Sequence, residues 1–99
     1  MKKTHVNNDA IKNAALTFRA IKHPFRQSLL KTIESEGEIS VFVLYKKLRI
    51  TQADCSLHLG VLRRAGFVNV RQEGKKNFYS VNTKRIALIN EMAEKIALK

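Results

Sequence analysis

TQADCSLHLGVLRRAGFVNVRQEGKKNFYSV, residues 51–81, changes its hydrophobic period halfway along. Up to Gly66 the apolar residues recur at helical spacing, with Cys55, Leu59 and Leu62 on one inward stripe. Thr51 stands where an N-cap belongs, and Asp54 three residues on resembles the acidic half of a capping box. Gly66 then ends the helix. Beyond it, FVNVRQ and KKNFYSV are β-rich runs around Glu73-Gly74, the pattern of a hairpin. A capped helix that runs directly into a hairpin decides the reading of the whole chain.

Working upstream, Ser40 caps a short helix, VFVLYKKL, that turns Val41, Leu44, Tyr45 and Leu48 inward. A short helix, a tight connection and a capped longer helix make a helix-turn-helix, and the hairpin behind it adds a wing. FRQSLLKTIESEG is a further helix, opened by Pro24, apolar at Phe25, Leu29, Leu30 and Ile33, and stopped by Gly37. Before it, AIKNAALTFRAIK carries Ile11, Ala14, Ala15, Phe18 and Ile21 on one broad stripe. His23-Pro24 breaks that helix, because a residue before proline is pushed out of the helical region. Asn8 or Asp9 is its candidate cap, with residues 1–8 frayed. Downstream, NTKRIALINEMAEKIALK is a last helix with Ile86, Ile89, Met92, Ala93 and Ile96 on one side. The expected order is α-α-α-α-β-β-α, a mainly α winged helix-turn-helix domain spanning residues 1–99. Strand signals confined to one region argue against a parallel sheet.

Charge points to the partner. Nineteen Lys and Arg against eight Asp and Glu give the 99-residue chain a net charge of +11, which implies a polyanion: nucleic acid first, an anionic membrane second. The plain alternative is a merely soluble basic surface. Basic residues spread over a folded pattern, and not along one amphipathic face, weigh against the membrane. No stretch approaches the roughly 18 apolar residues of a membrane span, and no secretory signal opens the chain. A single cysteine, Cys55, excludes an intramolecular disulfide and fits a reducing cytoplasm.

The segments AIKHPFRQSLL, GEISVFVLYKKL, TQADCSLHLGVLRRAGFV and RQEGKKNFYSV resemble, in order and spacing, the ArsR/SmtB family of winged-helix repressors. The most specific pieces are Pro24 with Arg26, then Thr51-Gln52, Ser56, His58-Leu59, Leu62-Arg63 and Ala65-Gly66. The resemblance covers roughly residues 18–81. It implies a homodimer built from the first and last helices that binds double-stranded DNA at an imperfect palindrome. The interface expected from it comprises Ile11, Ala14, Ala15, Phe18, Ile86, Ile89, Met92, Ala93 and Ile96. Both terminal helices also carry more apolar surface than so small a domain can cover, although those stripes could pack within one chain.

The resemblance assigns the reading role to the helix after Thr51 and its DNA-facing positions to Gln52, Ala53, Ser56 and Leu57. Gln can pair bidentately with adenine, Ser can bond base or phosphate, and Ala53 and Leu57 suit a thymine methyl. A solvated helix surface is the competing account of all four. Arg71, Lys75 and Lys76 on the hairpin tip would grip phosphate or enter the minor groove. Lys46, Lys47, Arg63 and Arg64 flank the reading helix and would add phosphate contacts. Asp54 and Leu57 depart from the family pattern: one is acidic near a phosphate backbone, the other unusually apolar for a groove-facing site. His58 reads as a structural residue beside the core stripe.

Many relatives release DNA on binding metal, and their ligands are missing here. Ser40 and Phe42 stand where arsenic-type members carry paired thiolates. The last helix lacks the Asp and His of zinc-type members. One cysteine and three scattered histidines (His5, His23, His58) fall short of the roughly four N/S ligands a soft metal requires. No metal site and no cofactor are therefore expected. Cys55 reads as a small buried hydrophobe, and the effector is unknown: a non-metal signal, or none. Phe42 and Val43, apolar on an outward face, suggest contact with an apolar effector, a partner protein or the other subunit's first helix. The chain offers no phosphate-binding glycine loop, carboxylate pair or nucleophile motif, so an enzyme is not expected. The rival reading is a winged helix used for non-specific nucleic-acid or protein binding.

Overall fold

The computed structural model describes residues 17–97. Helical backbone over residues 17–22, here α1, gives way at His23 to α2, Pro24–Glu36. His23 takes an extended conformation and its Nδ1 accepts the Phe25 N–H at 3.2 Å, so the histidine caps the helix that proline opens. α2 buries Leu29, Leu30 and Ile33, the stripe expected from spacing.

A strand absent from the sequence reading follows. Ile39–Ser40, β1, pairs antiparallel with the wing, Ile39 opposite Tyr79 and Ser40 opposite Phe78. Two residues have no period to detect, which is why the expected order lacked this strand. Ser40 both ends β1 and caps α3, Val41–Lys47, its Oγ accepting the Val43 N–H at 3.3 Å. One residue therefore joins the sheet to the helix-turn-helix.

α3 ends in two hydrogen bonds, Arg49 N–H to Lys46 O at 3.2 Å and Ile50 N–H to Tyr45 O at 3.1 Å. This paired arrangement is a Schellman motif and needs a left-handed residue at Arg49, where φ is 57°. The same motif closes α4 (Gln52–Arg64) with Gly66, φ 83°, where the absent Cβ removes the cost. At the start of α4, Thr51 Oγ1 accepts the Asp54 N–H at 3.0 Å, as the capping pattern predicts.

β2 (Val68–Glu73) and β3 (Lys76–Val81) form the wing, in a sheet of order β1-β3-β2. Glu73 pairs with Lys76, so the turn is Gly74-Lys75, one residue later than the Glu73-Gly74 centre read from sequence. Gly74 holds φ 61° at the first loop position, which a two-residue hairpin of the II′ kind requires. Asn82 then joins wing to α5 (Thr83–Ala97). Its Oδ1 accepts the Arg85 N–H at 3.2 Å and its Nδ2 donates to Gly66 O at 3.1 Å. The core gathers Leu29, Ile33, Leu44, Leu59, Leu62 and Phe67, all at most 1% exposed, with Cys55 fully enclosed among them.

Candidate nucleic-acid interface

α4 has two unlike faces. Cys55, Leu59 and Leu62, at i, i+4 and i+7, are buried against α2, α3 and the wing. Gln52, Ala53, Ser56 and Leu57, at i, i+1, i+4 and i+5, are exposed and adjacent on the other side. Leu57 is 62% exposed, so its apolar side chain faces solvent and is not hidden in the core. Asp54 sits in the first turn, where a carboxylate is favoured by the helix dipole.

His58 lies between the faces. Its Nδ1 is 3.3 Å from Nη1 of Arg26, its ring meets Phe25 edge-on at 4.6 Å, and the His23 ring is 5.1 Å away. The expected structural role is what this packing describes. Burial, then the charges of Arg26 and His23, lower its pKa, while Asp54 pulls the other way. Cys55 is buried and its thiol is pushed up to about 11 by desolvation, the behaviour of a small hydrophobe and not of a nucleophile.

On the wing, the register corrects one assignment. Lys75 lies in the turn and Lys76 opens β3, so both occupy the tip; Arg71 does not. It faces Phe78 across the ladder, its guanidinium 4.7 Å from that ring's centre. Arg71 Nε and Nη2 donate to the two carboxylate oxygens of Glu38 at 3.0 and 2.8 Å, and Nη1 lies 3.4 Å from Glu73. Those hydrogen bonds hold the Glu38 carboxyl below its usual range and raise the Arg71 guanidinium. Arg71 is thus engaged by carboxylates in the free protein. Glu38 was not anticipated as part of this surface; no local pattern reports a partner 33 residues away.

The flanking cations differ likewise. Lys47 pairs with Glu36 at 3.0 Å, and Lys46 Nζ stands 4.4 Å above the Phe42 ring. Phe42 and Val43 are 58% and 50% exposed, as their outward placement implies. Arg63 and Arg64 close the far end of α4, both exposed.

Within one chain the residues of the expected dimer face divide between core and surface. Ile89 is 5% exposed within the single chain, and Phe18 and Ile86 pack against the same core. Among the described residues of α5, the large apolar side chains turned outward are Met92, already expected there, and Leu88 one helical turn before it, 42% and 50% exposed. Ile11, Ala14 and Ala15, and the side chains of Ala93 and Ile96, lie outside the described residues. Among the described residues, no three His, Cys, Asp or Glu side chains come together as a metal site, and no helix is long and apolar enough to cross a membrane.

No family model matches the chain. Individual proteins do. An uncharacterized HTH-type transcriptional regulator of Methanocaldococcus jannaschii is 32% identical over 84% of this chain and 93% of its own length. The biofilm growth-associated repressor of Agrobacterium fabrum is 40% identical over 78% of this chain, which spans 65% of that protein. Among solved structures, the homodimeric winged helix-turn-helix DNA-binding domain from Mycobacterium bovis, described as "a possible ArsR-family transcriptional regulator", superposes with a TM-score of 0.76. It covers 98% of this chain and 90% of its own at 20% identity, a likeness of fold.

Proposed function

From its membership of the ArsR/SmtB family of winged helix-turn-helix transcriptional regulators, to which this chain belongs, we propose that it acts as a dimeric repressor on a palindromic operator. The observation that carries the reading is the two-faced α4. A capped helix turns Leu59 and Leu62 into the core and leaves Gln52, Ala53, Ser56 and Leu57 exposed together.

In this reading α4 enters the major groove, where base edges carry a distinct donor and acceptor code. Gln52 bonds an adenine, Ser56 a base or phosphate, and Ala53 and Leu57 meet thymine methyls. Lys75 and Lys76 at the wing tip, with Lys46, Lys47 and Arg63, neutralise phosphates. Two chains join through terminal helices, α5 contributing Leu88 and Met92, and present their reading helices about one duplex turn apart, roughly 34–36 Å. The homodimeric state of the Mycobacterium bovis domain supports this arrangement. The relatives' names are those of regulators, which supports a non-enzymatic role, with the protein in the same compartment as the DNA it reads, the cytoplasm.

Fluorescence anisotropy on the DNA upstream of the chain's own gene, against a scrambled duplex, tests the reading. Preference for the upstream duplex of ~10³-fold or more at physiological salt is expected. Equal binding to every duplex tried would turn the assignment toward a general nucleic-acid module.

A further inference from the structure

Four arginines line one cavity. Arg19 and Arg26 approach it from α1 and α2, Arg64 from the end of α4, and Arg85 from α5, around a space of about 670 Å³. The three ion pairs that join described residues, Lys47–Glu36, Arg71–Glu38 and Arg71–Glu73, use none of the four. Four cations sharing one concavity, with no carboxylate among its described lining residues, repel one another, and a bound anion relieves that repulsion.

Their hydrogen-bonding capacity is also largely unspent. Arginine has five N–H donors. Arg85 commits its Nε to Ala65 O at 3.1 Å, leaving the four on its Nη atoms. Arg26 donates from Nε to Ala20 O at 2.9 Å and from Nη2 to Arg19 O at 3.4 Å, and its Nη1 faces His58. These backbone contacts fix where both guanidinium groups stand, so the site is built before any ligand arrives. Ala20, Val61 and Ala65 give the same wall apolar patches, and the volume falls in the ordinary range for small-molecule pockets, ~300–1,000 Å³.

We propose that this arginine-lined cavity is the binding site of a small, multiply charged phosphate-class anion. Planar guanidinium forks suit phosphate oxygens in bidentate fashion. A duplex is the poorer occupant: Arg64 lies eight positions beyond Ser56, about 12 Å along α4 from the exposed reading face. The cavity walls are α1, α2 and α5, with only the last turn of α4. The binding site does not depend on the DNA reading, and its failure would leave that reading standing.

Isothermal titration calorimetry of the full chain with pyrophosphate, and with inorganic phosphate, in chloride buffer of matched ionic strength, tests it. One saturable pyrophosphate site per chain is expected. Arg64→Gln and Arg85→Gln should each weaken it about tenfold or more, as loss of charged hydrogen bonds implies. Arg64→Lys keeps the charge without the fork and should fall between; since Arg64 is exposed, both its variants should keep the fold by circular dichroism. The charge-matched control Lys31→Gln, which removes one positive charge outside the cavity, should bind as the parent does. Absence of saturable binding at millimolar anion would overturn the proposal, and so would equal weakening in the control. If a non-cognate duplex displaces pyrophosphate, and Arg64→Gln weakens the duplex by the same factor, the cavity serves DNA phosphate and the small-ligand site is wrong.

Discussion

Nη1 of Arg26 stands 3.3 Å from Nδ1 of His58, joining two residues 32 positions apart. An arginine N–H can only donate, so this hydrogen bond forms with the neutral ring, its lone pair on Nδ1, and a lowered pKa favours that form. Through the same guanidinium, the carbonyls of Ala20 and Arg19 at the end of α1 are tied to the reading helix. Both residues belong to the segments that carry the family resemblance.

This contact sets a pH dependence. Unfolded, His58 takes a proton near its ordinary value of 6.5; folded, burial and the charges of Arg26 and His23 hold its pKa lower. The unfolded chain therefore binds more protons, and stability rises with pH. The contribution is present above the unfolded value and lost as pH falls through the folded one. Thermal midpoints measured from about pH 8 to about pH 5 should fall on the acid side, and His58→Gln, which can still accept from Arg26 but does not titrate, should fall less. Superimposable curves would remove His58 from the account. His5 and His23 are present in both proteins, so the difference reports His58 together with its coupling to His23.

The two faces of α4 should separate in mutational cost. Leu59 is 1% exposed and Leu57 62%. Leu59→Ala should cost about 2–5 kcal/mol, the range for a core cavity, by denaturant titration. Leu57→Ala should stay within about 0.5 kcal/mol while weakening operator binding at an A·T position. A large stability loss from Leu57→Ala would mean that its side chain is not on the surface.

Arg49 offers a stabilising change. Its φ of 57° costs a residue with a Cβ about 1–2 kcal/mol, and glycine avoids that cost while losing some chain entropy. Arg49→Gly should therefore gain about 0.5–1 kcal/mol in urea unfolding, at a position no core contact depends on.

What was legible in the sequence was local. Ser40 and Thr51 cap their helices because a cap needs only a hydroxyl and the N–H three residues on, and Gly66 ends α4 for an equally local reason. The inward stripes of α2 and α4 follow from period alone. Apart from the one-residue shift of the hairpin turn, which is local, the misses are tertiary. Ile39–Ser40 becomes a strand only because Tyr79 and Phe78 lie beside it. On α5, spacing cannot say which neighbour an apolar stripe faces, so Ile89 went to the core and Leu88 to the surface. The arginine cavity assembles Arg19, Arg26, Arg64 and Arg85 from four helices, a set that no sequence window spans.

Cys55 should be silent to thiol reagents. It is buried, and desolvation raises its thiol to about 11, so almost no thiolate exists near neutrality. Ellman's reagent at about pH 8 should leave the native protein unlabelled and react with one thiol per chain in denaturant. Fast native labelling would reopen a redox role.

The wing yields a prediction that turns on Glu38. Each phosphate neutralised adds close to one to the slope of log affinity against log salt. Lys75→Ala and Lys76→Ala at the tip should each flatten that slope by about one, weakening cognate and scrambled duplexes alike. Arg71→Ala should barely change it, because both Glu38 oxygens already hold that guanidinium at 3.0 and 2.8 Å. Glu38→Gln removes the competing carboxylate. It should raise DNA affinity and steepen the slope by about one as Arg71 becomes available to phosphate. The pair is exposed to solvent, so the thermal midpoint should hardly move. If Arg71→Ala flattens the slope as much as the tip lysines do while Glu38 is intact, DNA already outcompetes Glu38 and the lock is not one. If Glu38→Gln and Glu38→Gln/Arg71→Ala share the same slope, Arg71 never reaches phosphate, and its role is confined to joining β2 to the turn before β1.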